Sequence, residues 1–106
     1  MTNPWRGEVA IEVDGTVHDL RLTLGALADL ETALEASSIV ELVQRFEAGT
    51  PSSRDVLAVL QAGVSGARIT PPPDLAHGEI AGGPMRAAQV AASLLVRAFS
   101  LPEPPG

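Results

Sequence analysis

Residues 8–20 read Glu-Val-Ala-Ile-Glu-Val-Asp-Gly-Thr-Val-His-Asp-Leu, and this stretch decides the fold class. Val9, Ile11 and Val13 alternate with Glu8, Ala10 and Glu12, the two-residue period of a half-buried strand. Asp14-Gly15 follows, a pair that tolerates the positive φ angles of a type I′ turn, so a second strand folds straight back. A two-residue turn also sets the register. Val13 faces Thr16, Ile11 faces His18, Val9 faces Leu20, and Glu8 faces Arg21 as a cross-strand charge pair. A lone hairpin over 8–22 is not stable in water, so it must pack on the rest of the chain or extend its sheet with a partner's strand. Its exposed edges predict self-association.

Beyond the hairpin, glycine and proline divide the chain into helices. Thr23 is a suitable N-cap for a helix over about 24–35, with Leu24, Leu27, Leu30 and Leu34 as its inner stripe. Ser38 and Glu41 form the pattern of a capping box, and Ile39, Leu42, Val43 and Phe46 recur at helical spacing, which predicts a second helix over 38–48 ended by Gly49 and Pro51. A third helix starts at Ser52 or Ser53 and runs over 53–65, with Val56, Leu57, Leu60 and Val64 inward and a stop around Gly66. Pro71 to Pro73 form a stiff extended connector. Asp74 can then cap a short helix over 74–80, and Pro84 suits the first turn of a last helix over 84–99. That helix is expected to bury Met85, Ala88, Ala91, Ala92, Leu95 and Phe99. The prediction is one α+β domain over 1–100, a two-stranded antiparallel hairpin packed on four to five helices, followed by a disordered tail at 101–106.

Composition narrows the chemistry. The 106 residues hold 7 basic and 13 acidic side chains, a net charge of −6, and no cysteine, tyrosine or lysine. Disulfides, thiolate nucleophiles, cysteine-based metal sites and lysine chemistry are thereby excluded. Three aromatics, Trp5, Phe46 and Phe99, and seven arginines do not make the stacking platforms and basic grooves of a nucleic-acid binder. No apolar run reaches the roughly 18 residues of a membrane span, and the first residues lack the pattern of a signal peptide, so the expected location is cytoplasmic. His77 and Glu79 are two residues apart and miss the i, i+4 spacing of a helical zinc pair, and Gly78, Gly82 and Gly83 follow no predicted strand. His18 lies on the hairpin's apolar face and reads as a packing histidine. No catalytic, metal or cofactor site is expected, and the protein is read as not an enzyme.

Charge is unevenly placed. Residues 1–35 carry seven acidic side chains against two arginines, a net −5, whereas residues 36–106 carry six against five, a net −1. This distribution reads first as an ordinary solvated face; the functional alternative is an acidic surface that steers a basic partner or keeps an apolar client soluble.

The opening block, Asn3-Pro4-Trp5-Arg6-Gly7-Glu8-Val9, with the hairpin and then Leu20-Arg21-Leu22-Thr23-Leu24-Gly25-Ala26-Leu27-Ala28-Asp29-Leu30-Glu31, resembles the gene transfer agent tail assembly chaperone family. Val43 to Gly49, Ser53 to Leu57 and the alanine-rich last helix also match that layout. The resemblance implies a non-enzymatic role: binding the tape measure protein, with the tail tube protein as a further candidate partner, and keeping the former soluble while the tube assembles. It also leaves two alternatives, a structural tail component retained in the particle and a small acidic adaptor module. Helix-in-groove binding is the expected mode, with the last helix and the leucine stripe of the first as candidate walls. Three residues are singled out as partner-binding: Leu24 and Leu27 on that stripe, and Trp5, which either folds over the hairpin as a lid or stands out as an anchor.

Overall fold

Asp14 and Gly15 take φ angles of 50° and 81°, the left-handed pair that a type I′ turn requires, and close β1 (Val9–Val13) onto β2 (Thr16–Leu20). The computed structural model describes residues 8–34 and 38–99. The expectations for Trp5, for a helix end at Glu35 and for the tail at 101–106 lie outside the described residues. The ladder has the predicted register, with Val9 opposite Leu20, Ile11 opposite His18 and Val13 opposite Thr16. It ends one pair before Glu8 and Arg21. Four α-helices follow among the described residues: α1 (Leu24–Leu34), α2 (Ile39–Glu47), α3 (Ser53–Gly66) and α4 (Gly83–Phe99). This is the expected α+β arrangement, a hairpin laid on helices.

The helix caps explain the boundaries. Thr23 accepts the Ala26 N–H at 3.1 Å and opens α1. Ser38 accepts the Glu41 N–H at 3.1 Å, which is one half of the box predicted for α2. The complete box is at α3, where Ser52 accepts from Asp55 N–H and the Asp55 carboxylate accepts from Ser52 N–H. Gly49 (φ 75°) ends α2, with Thr50 N–H reaching back to the Arg45 carbonyl at 2.9 Å. The same closure at α3 uses Arg68 at φ 56°, and the helix ends at Gly66, where the sequence predicts the stop.

Helix α3 is the centre of the molecule, touching β2, α1 and α4. Its glycines make this possible. A Cβ at Gly63 would lie 3.0 Å from Leu94 Cδ1 and 3.1 Å from Leu20 Cβ, and one at Gly66 would overlap the Arg21 carbonyl oxygen and crowd Ala26 Cβ at 3.2 Å. The Gly63 carbonyl in turn accepts the Arg21 N–H at 3.1 Å, tying the end of β2 to the helix backbone. Around this junction Leu20, Leu30, Leu42, Leu60, Val90 and Leu94 are fully buried.

Three sequence expectations change. The segment 74–80 is not a helix. Asp74 caps a single turn, accepting the His77 N–H on its side chain at 2.9 Å and the Gly78 N–H on its carbonyl at 2.7 Å, and then the backbone turns to β1. Ile80 bridges Val13, Ala81 N–H donates to the Glu12 carbonyl at 3.0 Å, and Asp14 N–H donates to the Glu79 carbonyl at 2.8 Å. A helix this short is below nucleation length, so bonds to an open strand edge win. The outer edge of β1 is therefore partly covered from within the chain.

The α4 face is also rotated from the predicted one. Ala87, Val90, Ala91, Leu94 and Leu95 are buried, whereas Met85 and Phe99 face solvent and Ala88 and Ala92 lie at the border. The helix carries two apolar stripes, and the expected face took half of each. On α1, Ala26 and Leu30 are buried and Leu27 and Leu34 are half-buried, but Leu24 is 85% exposed. At 3.6 residues per turn it lies roughly 120° around the axis from Leu30.

The two glycines of α3 yield a test whose sign separates helix propensity from packing. Propensity alone makes Gly66→Ala stabilising by about 1 kcal/mol. The collision with a backbone oxygen, which cannot swing aside, should instead give a net loss of about 1–3 kcal/mol. A lower urea midpoint at unchanged slope reports that loss. A raised midpoint would show that β2 does not need so close an approach.

Candidate protein-binding groove

One open groove stands out, with a volume of about 460 Å³, between the first half of α3, the turn at 75–80 and the start of α4. Val56, Leu57 and Leu60 supply one wall, Leu75 and Ile80 the floor side, and Ala87 and Ala88 the other wall. The short alanine side chains keep the two helices from filling the space between them. No charged residue lines it, and backbone and aliphatic groups dominate. Its chemistry suits an apolar segment of another chain, which it would take from water without any directed reaction.

The rim of the groove at Pro51 and Ser53 is held by an ion pair that the sequence reading did not anticipate. Arg45 of α2 reaches Asp55 of α3 through two parallel bonds, Nε to Oδ2 at 2.7 Å and Nη2 to Oδ1 at 2.9 Å. Asp55 is 7% exposed and also accepts the Ser52 N–H at 3.0 Å. One carboxylate thus caps α3 and clamps α2 to it. The guanidinium bonds hold the Asp55 carboxyl below its ordinary range, against burial, which pushes the other way, and the Ser52 N–H bond adds to the lowering. The same contact raises the Arg45 guanidinium. An i+3 acidic residue after Ser52 was the available signal, but the distant arginine is found only in three dimensions.

The residues singled out from the sequence are not brought together. Trp5 lies outside the described residues. Leu24 is exposed on α1, Leu27 is half-buried and packs against the core, and neither lines the groove. The last helix does provide a wall, but through Ala87 and Ala88 and not through the whole predicted stripe. His18 is half-buried at the edge of the hairpin's inner face, and His77 is exposed in the Asp74 turn. Among the described residues, no group of three or more His, Asp or Glu side chains could hold a metal ion, and no helix is long and apolar enough to cross a membrane.

The chain is thus a small α+β domain with one apolar groove among its described residues. Comparison with known families adds the context: residues 6–101 match the family described as phage tail tube protein, GTA-gp10. The match covers nearly the whole chain, and the protein belongs to that family, a gene transfer agent phage tail protein. Searches of curated proteins and of solved structures returned no match.

The Arg45–Asp55 clamp predicts a pH dependence with a definite sign. Because the Asp55 carboxyl is lowered in the folded state, the unfolded chain binds the extra proton first as pH falls. The clamp's contribution is therefore full above about pH 4, the ordinary aspartate value, and is lost as pH drops through the folded value. Asp55→Ala should cost about 1–2 kcal/mol at neutral pH, the worth of a cap and a partly exposed ion pair. Urea unfolding of the two proteins across pH should show the gap between them closing in acid; a gap that persists unchanged would place the stabilisation elsewhere.

Proposed function

We propose that this chain is a structural component of a gene transfer agent tail, retained in the finished particle and held there by protein contacts, with no catalytic role. The observation that carries the reading is the family match over residues 6–101, whose description is of a tail tube protein. The groove between α3 and α4 supports it, because a subunit that must fit among other tail proteins needs apolar surface ready to be covered. The protein content of purified particles tests it. Retention at a stoichiometry matching the tail's repeat is the expected result; a chain absent from the particle would overturn it.

A second reading, a tail assembly chaperone that binds the tape measure protein and then leaves, draws support from the groove being open and lined by aliphatic side chains. Such a groove accepts an amphipathic helix of a long client and releases it when a larger surface becomes available. Co-expression with the tape measure protein separates the readings further. Under the chaperone reading Ala88→Glu, which places a charge in the groove, should reduce captured client by about tenfold while leaving the melting temperature of the free protein unchanged. Undiminished capture would remove the groove from the account.

A further inference from the structure

The strap formed by residues 74–83 has one side on the hairpin and the other on the groove. Toward the hairpin, Asp14 N–H donates to the Glu79 carbonyl at 2.8 Å, Ala81 N–H donates to the Glu12 carbonyl at 3.0 Å, and Glu79 N–H donates to Asp14 Oδ1 at 2.8 Å. Toward the groove, Leu75 and Ile80 supply apolar lining. One short segment therefore covers the edge of β1 and builds a wall of the groove.

Its attachment is slight. Leu75 is the one buried residue of the strap, Gly78, Ile80 and Gly83 are half-buried, and the other six are exposed. A segment held by so little buried apolar surface and by hydrogen bonds near solvent opens at low free energy. Its two ends suit such a motion. Pro71 to Pro73 make a stiff entry, and Gly82 and Gly83, at φ 87° and 69°, make an exit whose backbone turns without a side-chain penalty. The strap also lies tight on the hairpin turn: a Cβ at Gly78 would overlap the Asp74 carbonyl oxygen and lie 2.9 Å from both Asp14 Oδ2 and Val13 Cγ1. Asp14 supplies a side-chain bond to the strap, where the other two bonds to the hairpin are between backbone groups.

We propose that this strap is a gate on the groove, opening as a unit about Gly82 and Gly83, with the Asp14 carboxylate as its latch. Docked, it closes the edge of β1 and completes the groove. Released, it carries Leu75 and Ile80 out of the groove and bares that edge, so a groove fit for an apolar segment exists only in the latched form. An occupant that touches Leu75 and Ile80 binds the docked form alone and must hold the latch shut, since a ligand favours the state it binds. By the same linkage, a tighter latch strengthens binding. The gate rests on the reading of the groove as a binding surface and names the regulation of that surface. Its test needs no ligand, so its failure leaves that reading standing.

The test compares Asp14→Gly with Asp14→Asn in the full chain. Both residues accept the positive φ of the type I′ turn, but only Asn keeps an oxygen for the Glu79 N–H, so the pair separates the latch from the turn. Hydrogen exchange at the Glu79 and Ala81 amides is measured relative to Val59 and Leu60 on α3, whose buried amides report opening of the whole fold. In the unaltered chain the strap amides should exchange faster than those of α3. In Asp14→Gly they should gain a further factor of about five to ten over Asp14→Asn, the worth of one hydrogen bond. Leu75→Cys, added to each variant of a chain with no other cysteine, places a single thiol at a buried position of the strap that lines the groove. Its labelling by N-ethylmaleimide should rise by the same factor. Strap amides that exchange only at the rate of α3 overturn the proposal, because the strap then opens only with the whole fold. Equal behaviour of the Gly and Asn variants overturns it by removing Asp14 as the latch. Faster amide exchange with unchanged thiol labelling overturns it as well, since the edge then frays without moving the groove wall.

Discussion

Gly63 and Gly66 let the backbone of α3 touch the end of β2, and the rest of the arrangement depends on that approach. With any side chain at Gly66 the Arg21 carbonyl would have to move, and with it the hydrogen bond from Arg21 N–H to the Gly63 carbonyl. Leu20 and Leu94 meet over Gly63, so the hairpin, α3 and α4 share one contact point. Glycine in a helix interior lowers intrinsic helix stability. Here that loss is offset by burial of Leu20, Leu60, Val90 and Leu94 in a single small core.

The remaining elements secure what this junction positions. The Ser52 and Asp55 box starts α3, and Arg45 closes on the same carboxylate to bring α2 alongside. The turn at 75–80 then packs Leu75 into the core and spends the outer edge of β1 on Ile80, which limits strand pairing to other surfaces. Among the described residues, apolar surface remains accessible at the groove between α3 and α4, on Met85, Val96 and Phe99 of α4, on Leu24 of α1, on Val40 of α2 and on Val17 of β2.

Family membership gives these surfaces a setting. The chain leaves apolar side chains exposed on both α1 and α4, and the two helices carry charge of opposite sign. The net charge of −6 is therefore less informative than its placement, since α1 carries only acidic charges and α4 only basic ones. Such segregation orients an encounter before apolar groups meet.

Local rules made much of the fold legible. The hairpin and its register follow from alternation and Asp14-Gly15, because a two-residue turn and a period of two leave no freedom. The four helices follow from caps and from glycine and proline. The helix faces did not follow: α4 offers two apolar stripes and α1 a leucine outside its inner row, and only the packing partners choose between such alternatives. The fate of 74–80 was hidden for the same reason, since an open strand edge more than 60 residues away competes with a local turn. So was the tie of Arg45 to Asp55, and so was the groove, which no single segment contains. Sequence by itself determined which elements form; tertiary structure decided which face each one buries, because burial is a property of pairs of elements and not of any one of them.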